Sequence, residues 1–147
     1  MHLHPPIVHF PIALLIVSGL CWCIYLLWNQ PVFREVGFWN HLFGLVGVAL
    51  AIISGTIEET YVEVGPSIKE QLETHETLGY VMGWYYALML LWVYFRKAMM
   101  YAWEEKLFTV LFMLGLALVV WTGHVGGIMV YEEGLGVNTS LFDWLNW

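Results

Sequence analysis

IVHFPIALLIVSGLCWCIYLLW, residues 7–28, contains no Asp, Glu, Lys or Arg along its whole length. About 20 consecutive apolar residues suffice for a helix to cross the hydrocarbon core of a bilayer, so this run predicts a membrane span. Pro5 and Pro6 stand just before it, where a helix start tolerates proline because the first amides have no intrahelical acceptor. Pro11 lies a turn further in and is expected to kink the span or open a local gap without ending it. Asn29-Gln30-Pro31 closes the run.

Three more runs follow, at residues 38–57, 75–96 and 107–131. The third begins as a polar helix after Pro66-Ser67 and turns apolar from Leu78. The expected fold is therefore all-α: one domain, an integral membrane four-helix up-down bundle. The tail 137–147 is amphipathic, with Leu141, Phe142, Trp144, Leu145 and Trp147 around Asp143 and Asn146. It is expected to lie on the outer membrane surface or to dock on a partner subunit. Composition agrees, since 60% of the 147 residues are hydrophobic and only 12% charged, about half the charge that a soluble domain carries. The N-terminus has no basic segment and no small-residue cleavage site after the first run, so that run is expected to be retained.

Charge sets the orientation. Four of the five basic residues, Arg34, Arg96, Lys97 and Lys106, fall at one end of the spans. The other end holds Lys69 against Glu58, Glu59, Glu63, Glu70, Glu73, Glu76, Glu132, Glu133 and Asp143. Basic loops stay in the cytoplasm, so both termini are expected outside, on the periplasmic side of a bacterial inner membrane. Trp28, Trp39, Trp103, Trp144 and Trp147 sit near span ends as an interfacial belt; Trp84, Trp92 and Trp121 lie deeper, where they can pack against helices or a flat cofactor. Cys21 and Cys23, two apart on a helix, point about 200° apart and cannot chelate one ion. Nothing basic suggests nucleic acid, and no serine adjoins a histidine, so a stand-alone enzyme is not expected.

The six histidines carry the functional reading, because ionisable groups inside membrane spans usually face the bundle interior and mark function. Counted from the basic end at ~1.5 Å per residue, His9, His75 and His124 lie about 30, 32 and 27 Å up, with His41 near the opposite face and His2 and His4 above the layer. In an up-down bundle the first and third helices share a diagonal, so His9 and His75 are expected to face each other as the two axial ligands of a b-type haem. His124 is expected as an alternative ligand, or in a second redox centre with His4. Gly79 and Gly83 below His75, and Gly123, Gly126 and Gly127 around His124, leave bare backbone beside a macrocycle. The same glycines are also how membrane helices approach closely, and that is the sole role expected of Gly44, Gly47, Gly55 and Gly115. A compact copper or zinc site on His9, His75 and His124, with Glu58 or Glu76 near, is the second reading. The absence of Cys-x-x-Cys-His excludes covalent c-type attachment.

His4-Pro5-Pro6-Ile7-Val8-His9-Phe10-Pro11-Ile12-Ala13-Leu14 resembles the opening of the bacterial four-helix membrane family DUF2231. Gly123-His124-Val125-Gly126-Gly127-Ile128-Met129-Val130-Tyr131, followed by Gly134-Leu135-Gly136-Val137, resembles its closing motif, and Thr74-His75-Glu76-Thr77-Leu78 stands where that family opens its third helix with a histidine. The resemblance implies a histidine-bearing membrane module of the kind found beside cytochromes and redox enzymes. It carries His4, His9 and His75 as motif histidines, while many members have tryptophan at the position of His124. The expectation is thus a haem b subunit of a respiratory or photosynthetic membrane complex, meeting quinone or a periplasmic cytochrome. A cofactor-free assembly subunit is the alternative from another class.

Overall fold

The computed structural model describes residues 4–61, 66–96, 98–132 and 134–135; the tail 137–147, His2, Glu63, Lys97 and Glu133 lie outside the described residues. Four helices account for nearly all of it: α1 (His4–Trp28), α2 (Pro31–Glu59), α3 (Pro66–Arg96) and α4 (Ala102–Tyr131). Each is long and apolar enough to cross a membrane, and the chain is a multi-pass membrane protein of four spans. Each helix exceeds the apolar run that announced it. Hydropathy marks the part that meets lipid, whereas a helix continues wherever its own hydrogen bonds are the cheapest way to satisfy the backbone. The expected 29–37 loop accordingly shrinks to Asn29 and Gln30. Asn29 takes φ 49°, a left-handed conformation that asparagine tolerates, and Pro31 starts α2 at its first position.

α1 contacts α2 and α4, and α3 contacts the same two, with no backbone approach between α1 and α3 or between α2 and α4. This is an up-down ring with α1 and α3 on one diagonal. The α1–α2 pair is the closest, and one face of each helix explains it. A Cβ placed on Gly37 would sit 3.1 Å from the Trp22 indole, one on Gly44 2.9 Å from Leu15, one on Gly47 3.0 Å from Pro11, and one on Gly55 3.1 Å from His4. These pairs form one antiparallel register, in which small residues let the backbones approach. Pro11 does not end α1, and its ring nests on Gly47.

The core is unevenly distributed. Leu15, Trp22, Tyr25, Phe38, Tyr86, Met89, Val93, Phe108 and Phe112 form a buried cluster toward the end that carries Arg34 and Arg96, here the basic end. Buried side chains of α3 are confined to Tyr86, Met89 and Val93; none of those described between residues 68 and 85 is buried. α3 is therefore packed along its basic half and only partly buried toward the acidic end, where α4 still buries Val119, Thr122, Val125 and Met129. The basic end is clasped by acids from the first turn of α4. The Arg96 guanidinium donates to Glu104 at 2.9 and 3.0 Å, and Glu104 also accepts from the Tyr101 amide at 2.8 Å. Tyr25 donates to Glu105 at 2.9 Å, with Arg34 3.6 Å from the same carboxylate. Large apolar side chains such as Leu27, Leu88, Leu114 and Val120 cover the outside, as lipid requires.

Candidate functional site

At the acidic end two imidazoles reach across the diagonal. His4 opens α1 and His75 sits in the upper part of α3; their ring centroids are 6.3 Å apart with planes at 88°. Each ring is anchored by its Nδ1. His4 Nδ1–H donates to the Ala51 carbonyl at 3.0 Å, with the Ser54 hydroxyl 3.1 Å away. Ser54 itself donates to that same carbonyl at 2.9 Å, which leaves its oxygen free to accept from His4. The His4 amide, an orphan donor at the helix start, donates to Glu58 at 3.1 Å. His75 Nδ1–H donates to the Thr122 carbonyl at 3.1 Å.

A carbonyl can only accept, so both Nδ1 atoms carry a proton, and in the neutral form of each ring Nε2 is then the nitrogen with a lone pair to offer. Main-chain carbonyls holding Nδ1–H are the usual outer support of a metal-binding histidine, because they fix the ring and raise its basicity. Glycine backbone clears the space for each ring: a Cβ on Gly55 would meet His4 Cε1 at 3.1 Å, and one on Gly126 would meet His75 Cε1 at 3.0 Å.

The expected partners are thereby rearranged. His9 does not face His75; it is exposed, and its Nδ1–H donates to the Pro5 carbonyl at 2.6 Å. The reason is rotation. His9 is five residues beyond His4, about 140° round the helix at 100° per residue, so one faces out when the other faces in. His124 is exposed too, with its ring 6.0 Å from Trp121, because Gly126, two positions on, turns the opposite side of α4 toward His75. Gly79 and Gly83 do not line an open strip. A Cβ on Gly83 would lie 3.3 Å from Ile52, and the same side chain is 4.0 Å from the corresponding point at Gly79; both serve α2–α3 packing. Gly55, expected to be remote from any histidine, is the backbone under His4. Trp84 and Trp121 point outward at 71% and 57% exposure, while Trp92 packs on Phe108.

Among the described residues no three His, Cys, Asp or Glu side chains converge on one point. Among the described residues the site offers two imidazole donors. With metal–nitrogen bonds of about 2.1 Å and about 1.1 Å from nitrogen to ring centre, two imidazoles on directly opposite sides of one ion would have centroids about 6.4 Å apart, and the 6.3 Å spacing of His4 and His75 is close to that straight arrangement.

A ring of four membrane spans holding a histidine pair at its acidic end defines a histidine-bearing helical membrane protein. The chain belongs to the DUF2231 family, described as a predicted membrane protein, which it matches over residues 1–139. No curated protein and no solved structure matches it.

Proposed function

We propose that this chain is a haem b-binding electron-transfer subunit of a bacterial membrane complex, with His4 and His75 as the axial ligands. The observation that carries the reading is the pairing of two imidazoles across the bundle diagonal, each with Nδ1–H held by a main-chain carbonyl and Nε2 unengaged. Donor number favours haem over a bare ion. Structural zinc takes four protein ligands and catalytic zinc three, whereas haem iron brings four nitrogens of its own and asks the protein for two. α3 is the least buried of the helices at the same end, its described residues from 68 to 85 burying no side chain completely. Haem, when bound, would supply a one-electron couple there. The residues' part is to present neutral imidazoles, to fix their rotation through Ala51, Ser54 and Thr122, and to give them room at Gly55 and Gly126.

The basic end would face the cytoplasm, which puts the histidine pair near the periplasmic surface. There it would meet quinol from the bilayer and a soluble carrier, with the acidic residues of the 58–76 region attracting a basic partner. The test is a reduced-minus-oxidised optical spectrum of protein purified after haem-sufficient expression. A bis-imidazole b-type band is expected, lost in His4→Ala and in His75→Ala and kept in His9→Ala and His124→Ala. No band in wild type, or loss with His9 instead of His4, overturns the proposal. Copper in place of haem, with the same two-histidine dependence, would transfer the site to a compact metal ion.

A further inference from the structure

The tight half of the bundle encloses four polar side chains at 0% exposure: Ser18, Trp22, His41 and Tyr86. Ser18 is satisfied, donating to the Gly37 carbonyl at 2.8 Å. His41 is half satisfied. Its Nε2 lies 2.9 Å from the Tyr86 main-chain oxygen, which can only accept, so Nε2 carries the proton and Nδ1 of the neutral ring is an acceptor. No described residue donates to that Nδ1, and the Tyr86 hydroxyl has no partner either.

The two groups share one apolar chamber. Their ring centroids are 5.6 Å apart, and the Phe112 ring lies 5.0 Å from His41 and 5.1 Å from Tyr86. The Tyr86 oxygen is 3.0 Å from the point a Cβ on Gly115 would occupy, so the hydroxyl rests on bare α4 backbone. Unpaired polar atoms in a dry interior are costly, and native proteins usually resolve them with ordered water. The pair is complementary to one such molecule, since Nδ1 needs a donor and the phenol O–H needs an acceptor.

We propose that His41 and Tyr86 form a binding site for a single internal water, which donates to His41 Nδ1 and accepts from the Tyr86 hydroxyl. The site lies in the tight half of the bundle, away from the His4–His75 pair, and owes nothing to a redox cofactor. It would tie α2 to α3 at mid-bundle, adding to the His41–Tyr86 main-chain bond. Trp22 of α1 places its Nε1 3.1 Å from the point a Cβ on Gly37 would occupy, and Gly37 is four residues before His41 on α2.

The test is water-edited solid-state NMR on ¹⁵N-histidine-labelled protein in liposomes without added haem or metal, with the His41 signals assigned by their loss in His41→Phe. An Nε2-protonated His41 whose Nδ1 receives magnetisation from water is expected, and that transfer should disappear in Tyr86→Phe, which keeps the ring and removes only the oxygen. An Nδ1 with no water contact in wild type overturns the proposal, whether it is dry or bonded directly to the phenol. So does transfer that persists undiminished in Tyr86→Phe.

Discussion

Replacing Gly126 by alanine adds one methyl group against the ring of His75. The new carbon would stand 3.0 Å from Cε1, 3.4 Å from Nδ1 and 3.9 Å from Nε2. Carbon atoms in relaxed contact stay about 3.5–4.0 Å apart, so the ring must retreat by roughly 0.5–1 Å. That movement stretches the 3.1 Å bond from Nδ1 to the Thr122 carbonyl past the ~3.5 Å at which a hydrogen bond has lost most of its strength. A bond between membrane helices contributes about 0.6 kcal/mol on average, and overpacking costs typically 1–3 kcal/mol. The total of about 2–4 kcal/mol is a loss of folding stability, and ligand capture weakens by the share spent in re-seating the His75 ring, about tenfold for each 1.4 kcal/mol. Two glycines on the same helix control for helix propensity: a Cβ on Gly123 meets nothing within 4 Å, and one on Gly127 meets only Tyr131, at 4.0 Å. The assay is a haem titration of purified protein in detergent, followed by absorbance, with thermal unfolding of the haem-free samples alongside. Gly126→Ala should bind far more weakly and unfold at lower temperature than Gly123→Ala and Gly127→Ala. Equal titrations for the three would refute the placement of His75 on Gly126.

Gly47→Ala should destabilise the fold by about 1–3 kcal/mol, because its Cβ would fall 3.0 Å from the rigid ring of Pro11; reversible unfolding in mixed micelles measures it against Gly123→Ala. Arg96→Ala should lower stability more than Lys69→Ala in the same assay. Glu104 beside Arg96 is 8% exposed with several donors converging on it, whereas the Lys69–Glu73 pair spans 3.9 Å with both side chains about two-thirds exposed, and exposed pairs contribute little. In a background lacking Cys21 and Cys23, a cysteine at Thr60 should react with a membrane-impermeant thiol reagent applied to intact cells, and one at Asn29 only after lysis. The reverse pattern would invert the proposed orientation.

The bundle was legible because four long uncharged runs in so short a chain have few other homes than a bilayer, and the paired diagonals followed from short connections. The histidine partners were not, for a physical reason. In a water-soluble helix a polar face reveals its rotation, but these helices are apolar all round, so height could be counted and azimuth could not. His9 lies exposed on the far side of α1, and it is His4, which the height count sets above the layer, that meets His75. A usable signal was present in the small residues. Gly37, Gly44, Gly47 and Gly55 trace one face of α2, and reading that face against α1 in antiparallel register brings Gly55 and Ser54 to His4. Gly79 and Gly83 looked alike on paper, yet a neighbouring isoleucine fills the groove they leave. No motif announced His41's surroundings, because a histidine near the end of an apolar stretch carries no mark of whether its second nitrogen finds a partner.

Whether the imidazoles of α1 and α3 meet is best measured through space, by carbon–carbon correlation between histidine rings in the labelled protein, each assigned through single substitutions. A cross peak joining His4 to His75, with none joining His9 to His75, is the predicted result. A His9–His75 cross peak, or no contact between any two histidine rings, would contradict it.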